Sequence, residues 1–265
     1  MFFLHKIIIS IFIGITQGIA EFFPISSTGH MIIFIHWLNV ENKETQMLET
    51  FVQLGSTLAV FLFFYKKILK LLKLKTKKEK NKTKKIHILL SILPTIFLGI
   101  IFYNKIKLLF NYINVMYALI LGGFFLIISE KFKPKKSKTN SIKDINLIQS
   151  LIIGFFQTLC LYPGFSRSGA SIAISMLLGL KRSVAINFSF IISIPLIAGA
   201  SILDLIKNIQ NINVLNISYF LTGFIVSFLV SFIFMKKLIK ILNKVSLTFF
   251  GIYRFLIAGL IYLIK

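Results

Sequence analysis

Long apolar runs separated by short polar segments dominate this chain. Six of the runs are each close to the roughly 20 residues that an α-helix needs to cross the hydrocarbon core of a bilayer. They cover about residues 48–65, 86–103, 112–129, 184–203, 214–235 and 247–264. The pattern therefore predicts an all-α integral membrane protein with six transmembrane helices.

Two further apolar segments, residues 7–38 and 145–181, are each interrupted near the middle by a polar island rich in Pro, Gly and Ser. The first island runs from Glu21 to His30, and the second from Pro163 to Ser171. Irregular backbone at membrane depth is tolerated only where it is buried in protein or lines a wet cavity. Each segment therefore predicts a re-entrant helix-loop-helix pair that returns to the side of the membrane from which it came.

Lysine-rich loops give the orientation of these helices. Residues 66–85 hold eleven lysines, residues 130–143 hold six, and residues 236–244 hold four. The positive-inside rule places such loops in the cytoplasm. The loops that then face outward lie near residues 39–47, 104–111 and 204–213.

The two halves of the chain also resemble each other. Gly14-x-x-Gln17 precedes the first island and Gly154-x-x-Gln157 precedes the second. Each half is then one re-entrant pair followed by three spans, in opposite orientations, which is an inverted-topology repeat. Such repeats place a site near the midplane, where the broken helices meet. The predicted units are one polytopic domain, residues 1–265, and two repeat halves, about 1–129 and 144–265.

The composition agrees with a membrane protein and changes the meaning of the charge. The chain is 56% hydrophobic with a mean hydropathy of +0.85, above the range of ordinary soluble domains. The net charge of +23 comes mostly from loop lysines; it sets topology and contacts membrane lipids, so we expect no nucleic acid partner. The single cysteine, Cys160, excludes an internal disulfide. The oligomeric state stays open, a homodimer included.

Glu21 lies deep within an apolar segment, whereas the other seven acids lie in polar or boundary stretches. An ionisable group at membrane depth is costly and marks a candidate functional site. Gln17 is four residues earlier and shares a helix face with Glu21. Oxygen ligands this close suit a hard divalent cation such as Mg²⁺ or Ca²⁺. The structural alternative is that the Glu21 carboxylate only forms hydrogen bonds to helix ends and has no part in binding or catalysis.

The first island offers three hydroxyls and an imidazole. Ser26, Ser27 and Thr28 stand where they can cap the following helix. A hydroxyl at a helix N-terminus can instead act as a nucleophile on a phosphate, which the free amides and the helix dipole favour. His30 lies on the same face as Ser26 and Ser27, and a histidine within reach of a serine can act as general base or acid.

The second island holds Arg167, one of only three arginines among the 31 basic residues. Arginine is favoured for bidentate recognition of phosphate, although a side chain that only reaches the membrane interface is the alternative. Ser166, Ser168 and Ser171 add hydroxyls. A carboxylate, a nucleophile, an imidazole and a guanidinium together suit phosphoryl transfer, and the apolar surroundings favour a lipid-borne phosphate. Arg254, within the last span, receives no role.

At these residues the sequence resembles the undecaprenyl-diphosphate phosphatase family, also called the bacitracin-resistance protein family. The first family signature has two parts. A Glu or Gln followed four positions later by a Glu corresponds here to Gln17 and Glu21, and the run Pro-x-Ser-Ser-Thr-Gly-His corresponds to residues Pro24 to His30. The second, Pro-Gly-x-Ser-Arg-Ser-Gly-x-Thr, ends here on Ser171 in place of the usual Thr. The likeness covers the whole chain.

The resemblance implies hydrolysis of undecaprenyl diphosphate to undecaprenyl phosphate and inorganic phosphate, which recycles the carrier for peptidoglycan synthesis and gives bacitracin resistance. It implies Ser27 as nucleophile, His30 as its proton partner, Arg167 as diphosphate clamp, and Glu21 and Gln17 as metal- and water-organising residues. It also implies a multi-pass protein of the bacterial inner membrane whose site opens to the periplasm. The expected substrate-binding residues are Gln17, Ser26, Thr28, Ser166, Ser168 and Ser171.

Two rival functions are considered from the sequence. A transporter or lipid flippase would also use inverted repeats with broken helices and could bind phosphate through the same groups, but it does not need the set of Ser27, His30 and Glu21. The other membrane lipid-phosphatase superfamily needs a histidine nucleophile and an acid beyond its Ser-Arg pair. Residues 168–200 contain neither, which rejects that superfamily.

Overall fold

The computed structural model describes residues 2–72, 85–211 and 217–264. These residues form eleven α-helices with no β-strand among them, which confirms the all-α prediction for the described part of the chain. The helices are α1 (Phe2–Ala20), α2 (Ser27–Trp37), α3 (Lys43–Leu72), α4 (Lys85–Ile101), α5 (Tyr103–Leu108), α6 (Tyr112–Phe132), α7 (Leu147–Gln157), α8 (Arg167–Leu177), α9 (Arg182–Lys207), α10 (Ile217–Lys244) and α11 (Leu247–Ile264).

Four of these helices, α3, α6, α9 and α10, are long and apolar enough to cross a membrane. The predicted spans 86–103 and 247–264 correspond to α4 and α11, whose apolar parts are slightly shorter. Large apolar side chains such as Phe97, Leu121 and Phe124 are more than half exposed on the bundle surface, as expected where lipid replaces water as the solvent. The protein is therefore a helical membrane protein. Most of the lysine-rich loop 66–85 lies outside the described residues.

Both apolar segments with islands form broken helices. The first helix of one pair, α1, ends at Ala20, and α2 begins only at Ser27, because Pro24 lacks the N–H that would continue a helix. In the other pair a 3₁₀ turn, Thr158–Leu161, follows α7, and Pro163 and Gly164 precede α8. Gly164 has a φ of 102°, which glycine adopts without steric cost.

The helices after the two islands are capped in the same way. The Oγ atoms of Ser26 and Ser166 accept the backbone N–H of Gly29 and Gly169, each at 3.1 Å. The two serines have φ angles of 70° and 73°, in the left-handed region that non-glycine residues rarely adopt. Such strain costs about 1–3 kcal/mol for each residue and concentrates at functional sites.

Packing brings the broken helices against long helices of the other half. α1 packs on α10, and α7 packs on α4. Gly14 of α1 is so close to α10 that a Cβ atom would lie 2.9 Å from the carbonyl oxygen of Gly223. Gly154 of α7 approaches α4 in the same manner, with a Cβ atom 2.4 Å from the Leu90 oxygen. Small residues allow membrane helices to approach this closely.

Candidate active site

The two islands meet inside the helix bundle. Arg167 Nη2 donates to Glu21 Oε1 at 2.9 Å, and the two side chains are only 9% and 10% exposed. Ser168 Oγ adds a second connection by donating to the carbonyl oxygen of Phe23 at 3.1 Å. The structure thus brings together the acid of the first island and the arginine of the second, which are 146 residues apart.

The Glu21 carboxylate also holds the Ser27 hydroxyl. Ser27 Oγ donates to Glu21 Oε2 at 2.7 Å, and Gln17 Nε2 donates to the same oxygen at 3.1 Å. The Gln17 amide donates further to Ser56 Oγ at 3.2 Å. Glu21 is therefore placed both to orient the Ser27 hydroxyl and to accept its proton, which is the geometry of a nucleophile and a general base.

His30 holds the first island from behind. Its Nδ1 lies 2.7 Å from the carbonyl oxygen of Ser26, and because a carbonyl can only accept, Nδ1 must donate. Nε2 lies 2.8 Å from the hydroxyl of Tyr253, whose ring stacks on the imidazole. The sequence pairs His30 with Ser27 as a proton partner. The structure instead places Glu21 on the Ser27 hydroxyl and both His30 nitrogens on other groups.

Arg167 is fixed by groups of α8 and α9. Its Nη1 donates to the carbonyl oxygen and the hydroxyl of Ser189, at 3.1 and 3.3 Å. Ser171 donates to the backbone oxygen of Arg167 at 3.0 Å and lies 2.6 Å from Ser189 Oγ. The buried Nε of Arg167 has no hydrogen-bond partner among the described residues. Three of the five guanidinium N–H donors are thus used to hold the group, and the Nε–H and one Nη2–H are left for a ligand.

A cavity of about 600 Å³ reaches this site from the surface of the bundle. Its polar inner end is lined by Glu21, Ser26, Ser27, Thr28, Ser166, Arg167 and Ser168. Three other predicted residues lie one layer behind this lining: Gln17 and Ser171 contact Glu21 and Arg167, and His30 contacts Ser26. Of the predicted substrate-binding residues, Gln17 and Ser171 are therefore supports of the described lining rather than part of it.

The walls of the cavity are apolar. Residues of α4 and α9, including Ile96, Ile100, Ile197 and Ile206, line it beyond the polar end. Ile100 and Ile206 are also more than half exposed. An apolar wall therefore leads away from the polar inner end.

A second polar cluster occupies the outer end of the same cavity. Asp204 accepts hydrogen bonds from Thr50 Oγ1 and the Tyr103 hydroxyl, and pairs with Lys107 Nζ, each at 2.7 Å. The Tyr103 hydroxyl is the donor in this bond, because a carboxylate can only accept. Glu49, which the sequence analysis groups with the boundary acids, lines the cavity here.

The electrostatics of the inner end favour an anion. The N-termini of α2 and α8 both begin at the cavity, at Ser27 and Arg167. Helix N-termini carry a partial positive charge and free N–H groups that suit phosphate. Arg167 adds a full positive charge, which the Glu21 carboxylate balances in the free protein. A diphosphate that displaces Glu21 would therefore meet this charge and the N–H groups of the two helix N-termini.

A divalent cation fits these residues only in part. Among the described residues, no three His, Cys, Asp or Glu side chains are grouped so as to hold a metal ion. Glu21 already accepts three hydrogen bonds, and Gln17 turns its amide nitrogen toward it. Gln17 Oε1 is buried without a partner among the described residues. One carboxylate and one amide oxygen fit Mg²⁺ in the mode in which substrate phosphates and water complete the ligands.

Sequence reasoning missed several residues of this region. Arg254 of α11 is fully buried and donates to the carbonyl oxygens of Pro24 and Phe165, at 2.6 and 2.9 Å. A lone charge within an apolar span was the signal for it, but the sequence does not show which groups it contacts. Tyr253 and Asp204 carried no comparable signal.

A buried carboxylate, hydroxyl and guanidinium between two broken helices define a helical membrane protein with a site suited to phosphoryl transfer. The chain belongs to the family described as "Bacitracin resistance protein BacA", whose sequence model matches residues 10–260. It is 76% identical over 264 residues to the undecaprenyl-diphosphatase of Buchnera aphidicola subsp. Schizaphis graminum (strain Sg), covering all of both chains. It is 63% identical over 262 residues, 99% of each chain, to the undecaprenyl-diphosphatase of Buchnera aphidicola subsp. Acyrthosiphon pisum (strain 5A).

Proposed function

We propose that this chain is an undecaprenyl-diphosphatase, a hydrolase that converts undecaprenyl diphosphate to undecaprenyl phosphate and inorganic phosphate. Relatives with that name are 63–76% identical over essentially the full chain. The structural observation that carries the proposal is the Ser27 hydroxyl held on the Glu21 carboxylate beside Arg167. A protein that only binds or moves the lipid has no use for a nucleophile paired with a base. The reaction recycles the lipid carrier for peptidoglycan synthesis and gives resistance to bacitracin.

In the first step of the proposed mechanism, the terminal phosphate of the substrate binds Arg167 and the N-termini of α2 and α8. The diphosphate competes with Glu21 for Nη2 of Arg167, and the unpartnered Nε offers a second donor. Ser27 Oγ then attacks the terminal phosphorus while Glu21 takes its proton. The bond between that phosphorus and the bridging oxygen breaks, and undecaprenyl phosphate leaves with the proton that Glu21 returns to it.

In the second step, water attacks the phosphoserine at residue 27. Glu21 accepts a proton from the water and passes it to Ser27 Oγ as inorganic phosphate is released, which restores both residues. His30 and Gln17 do not touch the reacting atoms in this scheme. His30 keeps Ser26 in its strained conformation, and Gln17 orients the Glu21 carboxylate.

We propose Mg²⁺ or Ca²⁺ as the cofactor. Glu21 and Gln17 Oε1 would hold the ion together with oxygens of the diphosphate itself. The ion would supply neutralisation of the phosphate charge. The partial ligand set of the chain supports an ion that arrives with its substrate.

The substrate's lipid tail is accommodated by the apolar cavity wall. Ile100 and Ile206 line the cavity and are more than half exposed, which supports a path for the prenyl chain from the polar end into the surrounding lipid. The proposed partners of the protein are therefore its substrate and the membrane lipids that surround the substrate's prenyl tail. The homodimer stays a prediction.

We further propose the finer topology: six spans and two re-entrant pairs in the bacterial inner membrane, with the site open to the periplasm. The matching contacts of α1 with α10 and of α7 with α4 support one domain, residues 1–265, built from inverted halves of about 1–129 and 144–265. The outer end of the cavity lies at Asp204, near the end of α9, and Asp204 begins the predicted outer segment 204–213, which is poor in lysine. Lysine-rich loops would then remain in the cytoplasm.

Phosphate release from a long-chain polyprenyl diphosphate tests the activity. Detergent-purified protein is assayed with Mg²⁺ or Ca²⁺ and then with a chelator, beside Ser27→Ala and the control Ser183→Ala at the far end of α9 from Asp204. We expect metal-dependent release by the unmodified chain and by Ser183→Ala, and none by Ser27→Ala. Lipid binding without release by the unmodified chain would favour the transporter. Phosphate release that persists with chelator would refute the proposed metal cofactor but not the hydrolase activity.

Cysteine labelling tests the topology in a Cys160→Ala background. Asn42→Cys and Lys135→Cys place a thiol at exposed positions in a predicted outer and a predicted cytoplasmic loop. An impermeant maleimide added to intact spheroplasts should label position 42 and spare position 135. The reverse pattern would overturn the orientation.

A further inference from the structure

Arg254 is the largest fully buried side chain of the described residues, with 0% of its surface exposed. It lies on α11, remote in sequence from both islands. Its Nε donates to the carbonyl oxygen of Pro24 at 2.6 Å, and its Nη1 donates to that of Phe165 at 2.9 Å. One planar guanidinium therefore bridges the turn before α2 and the turn before α8.

This arrangement is expensive for a residue with only a structural role. Arginine stays charged in proteins, and a buried charge without a partner costs several kcal/mol. No carboxylate of the described residues forms an ion pair with Arg254, and its buried Nη2 has no hydrogen-bond partner among them. Two carbonyl oxygens would be satisfied as well by a neutral donor or by water.

Two glycines make the slot in which the guanidinium lies. A Cβ atom at Gly122 of α6 would lie 2.0 Å from Arg254 Nη1 and 3.0 Å from the Phe165 oxygen. A Cβ atom at Gly169 of α8 would lie 3.0 Å from Arg254 Nη2. The guanidinium thus sits directly against the first turn of α8, where Arg167 begins the helix.

We propose that Arg254 is a positioning residue for the diphosphatase reaction, because it fixes the turns before α2 and α8 to each other and so sets where Ser27 stands relative to the phosphate held by Arg167. The neighbouring Tyr253 assists through the bond to His30, which holds Ser26. The uncompensated charge of Arg254 also adds to the positive electrostatic field of the two helix N-termini, which favours binding of the diphosphate anion. The inference rests on the proposed activity.

Three variants and two matched controls test the role of Arg254. Arg254→Met removes both bonds and the charge, Arg254→Lys keeps the charge but reaches only one carbonyl, and Gly122→Ala keeps the arginine but displaces its guanidinium. Gly259→Ala is the control for Gly122→Ala. Gly259 lies on α11, the helix of Arg254, and an added Cβ there has nothing within 4 Å. Arg182→Met is the control for the arginine, since Arg182 binds the Val245 oxygen and Glu130 away from the cavity.

The readouts separate positioning from folding. For each purified variant, kcat and KM are measured on a soluble short-chain prenyl diphosphate, and Kd on its non-hydrolysable methylenediphosphonate analogue, beside the thermal unfolding temperature. A misplacement of about 1 Å can cost about 10²-fold in rate. We expect Arg254→Met and Gly122→Ala to lose about 10²-fold in kcat with a Kd change of only a few-fold. Arg254→Lys should lose less, and both controls should keep kcat even where Arg182→Met unfolds at a lower temperature.

Wild-type kcat in folded Arg254→Met and Gly122→Ala would overturn the inference. If Arg254→Met does not fold, Arg254→Lys becomes the test. A kcat of Arg254→Lys equal to that of the unmodified chain would then overturn the positioning role of Arg254. Loss of kcat in Arg182→Met equal to that in Arg254→Met would reduce Arg254 to general stability. The proposed function is judged separately, because it fails only if the unmodified chain releases no phosphate.

Discussion

The ion pair between Glu21 and Arg167 leads to an unusual expectation for Glu21→Gln: the variant should bind the diphosphate better while it hydrolyses it far more slowly. Glutamine has nearly the same shape but one acceptor oxygen instead of two, so it can keep the hydrogen bond from Ser27 or the one from Arg167, and its NH2 group cannot accept the other. The negative charge that the substrate must displace from Arg167 is gone. Proton transfer from Ser27 is lost as well.

The magnitudes follow from the geometry. Two unit charges about 4 Å apart at an effective dielectric of 20 interact by about 4 kcal/mol, and this pair joins at 2.9 Å with both side chains about nine-tenths buried. The substrate no longer has to break this ion pair when it binds Glu21→Gln. If a third of the pair's energy, about 1.4 kcal/mol, is gained in this way, the Kd of the variant for the diphosphate is about ten-fold lower. Loss of a general base lowers kcat by about 10²–10⁴-fold. The free variant should unfold at a lower temperature, because a buried pair that loses one partner is destabilised by about 3–5 kcal/mol.

The assay combines phosphate release with calorimetric titration of a prenyl methylenediphosphonate, and the titration contains no divalent cation because Glu21 is also a proposed ligand of the ion. Glu41→Gln is the matched control, since Glu41 lies on the surface beside His36, and its side chain is 62% exposed. That control should leave both kcat and Kd unchanged. A folded Glu21→Gln that binds the analogue no more tightly than the unmodified chain, or that keeps more than a tenth of its kcat, would refute the reasoning.

Three further outcomes are expected. Gln17→Ala should lower kcat by about ten-fold, less than Glu21→Ala, because, of its two amide hydrogen bonds, only the one to Glu21, worth about 0.5–1.5 kcal/mol, orients the carboxylate; steady-state kinetics of the pair checks this. Tyr253→Phe should lower kcat by about five- to ten-fold with KM unchanged, because His30 loses the donor at Nε2. Asp204→Asn should lower KM several-fold at low salt and not at high salt, because an unbalanced lysine at the cavity entrance then attracts the anionic substrate.

Each of these predictions has an outcome that contradicts it. Equal loss in Gln17→Ala and Glu21→Ala would make Gln17 a direct participant. The exposed Tyr262→Phe is the tyrosine control and should change nothing, and a kcat of Tyr253→Phe equal to that of this control would contradict the role of the bond to His30. A KM for Asp204→Asn that does not depend on salt would mean that the cluster acts through structure rather than through charge.

The sequence predicts much of the fold because its signals are local. Apolar runs mark helices, and Pro24 and Pro163 mark the two breaks. The sequence also nominates Glu21 and Arg167, because a charge within apolar surroundings needs a function or a partner. Their meeting follows from the repeat, which implies that two islands of opposite orientation face each other.

The sequence could not predict contacts that depend on how distant helices are turned about their axes. His30 and Ser27 share a helix face, yet the hydroxyl bonds Glu21 from the preceding turn, and Tyr253 reaches the imidazole from α11. Left-handed backbone at Ser26 and Ser166 is also outside such reasoning, since a glycine would be expected at that φ. Those conformations exist because tertiary contacts of the islands hold them.

The buried Arg254 has a consequence for biogenesis. An arginine at the centre of a membrane helix costs about 2.5–3.5 kcal/mol during insertion, and α11 is synthesised after both islands. The carbonyl oxygens that bind it belong to Pro24 and Phe165, which leave the ribosome much earlier. The hydrogen bonds that satisfy this buried guanidinium can therefore form only once both islands are in place, so the docking of α11 completes the assembly of the site.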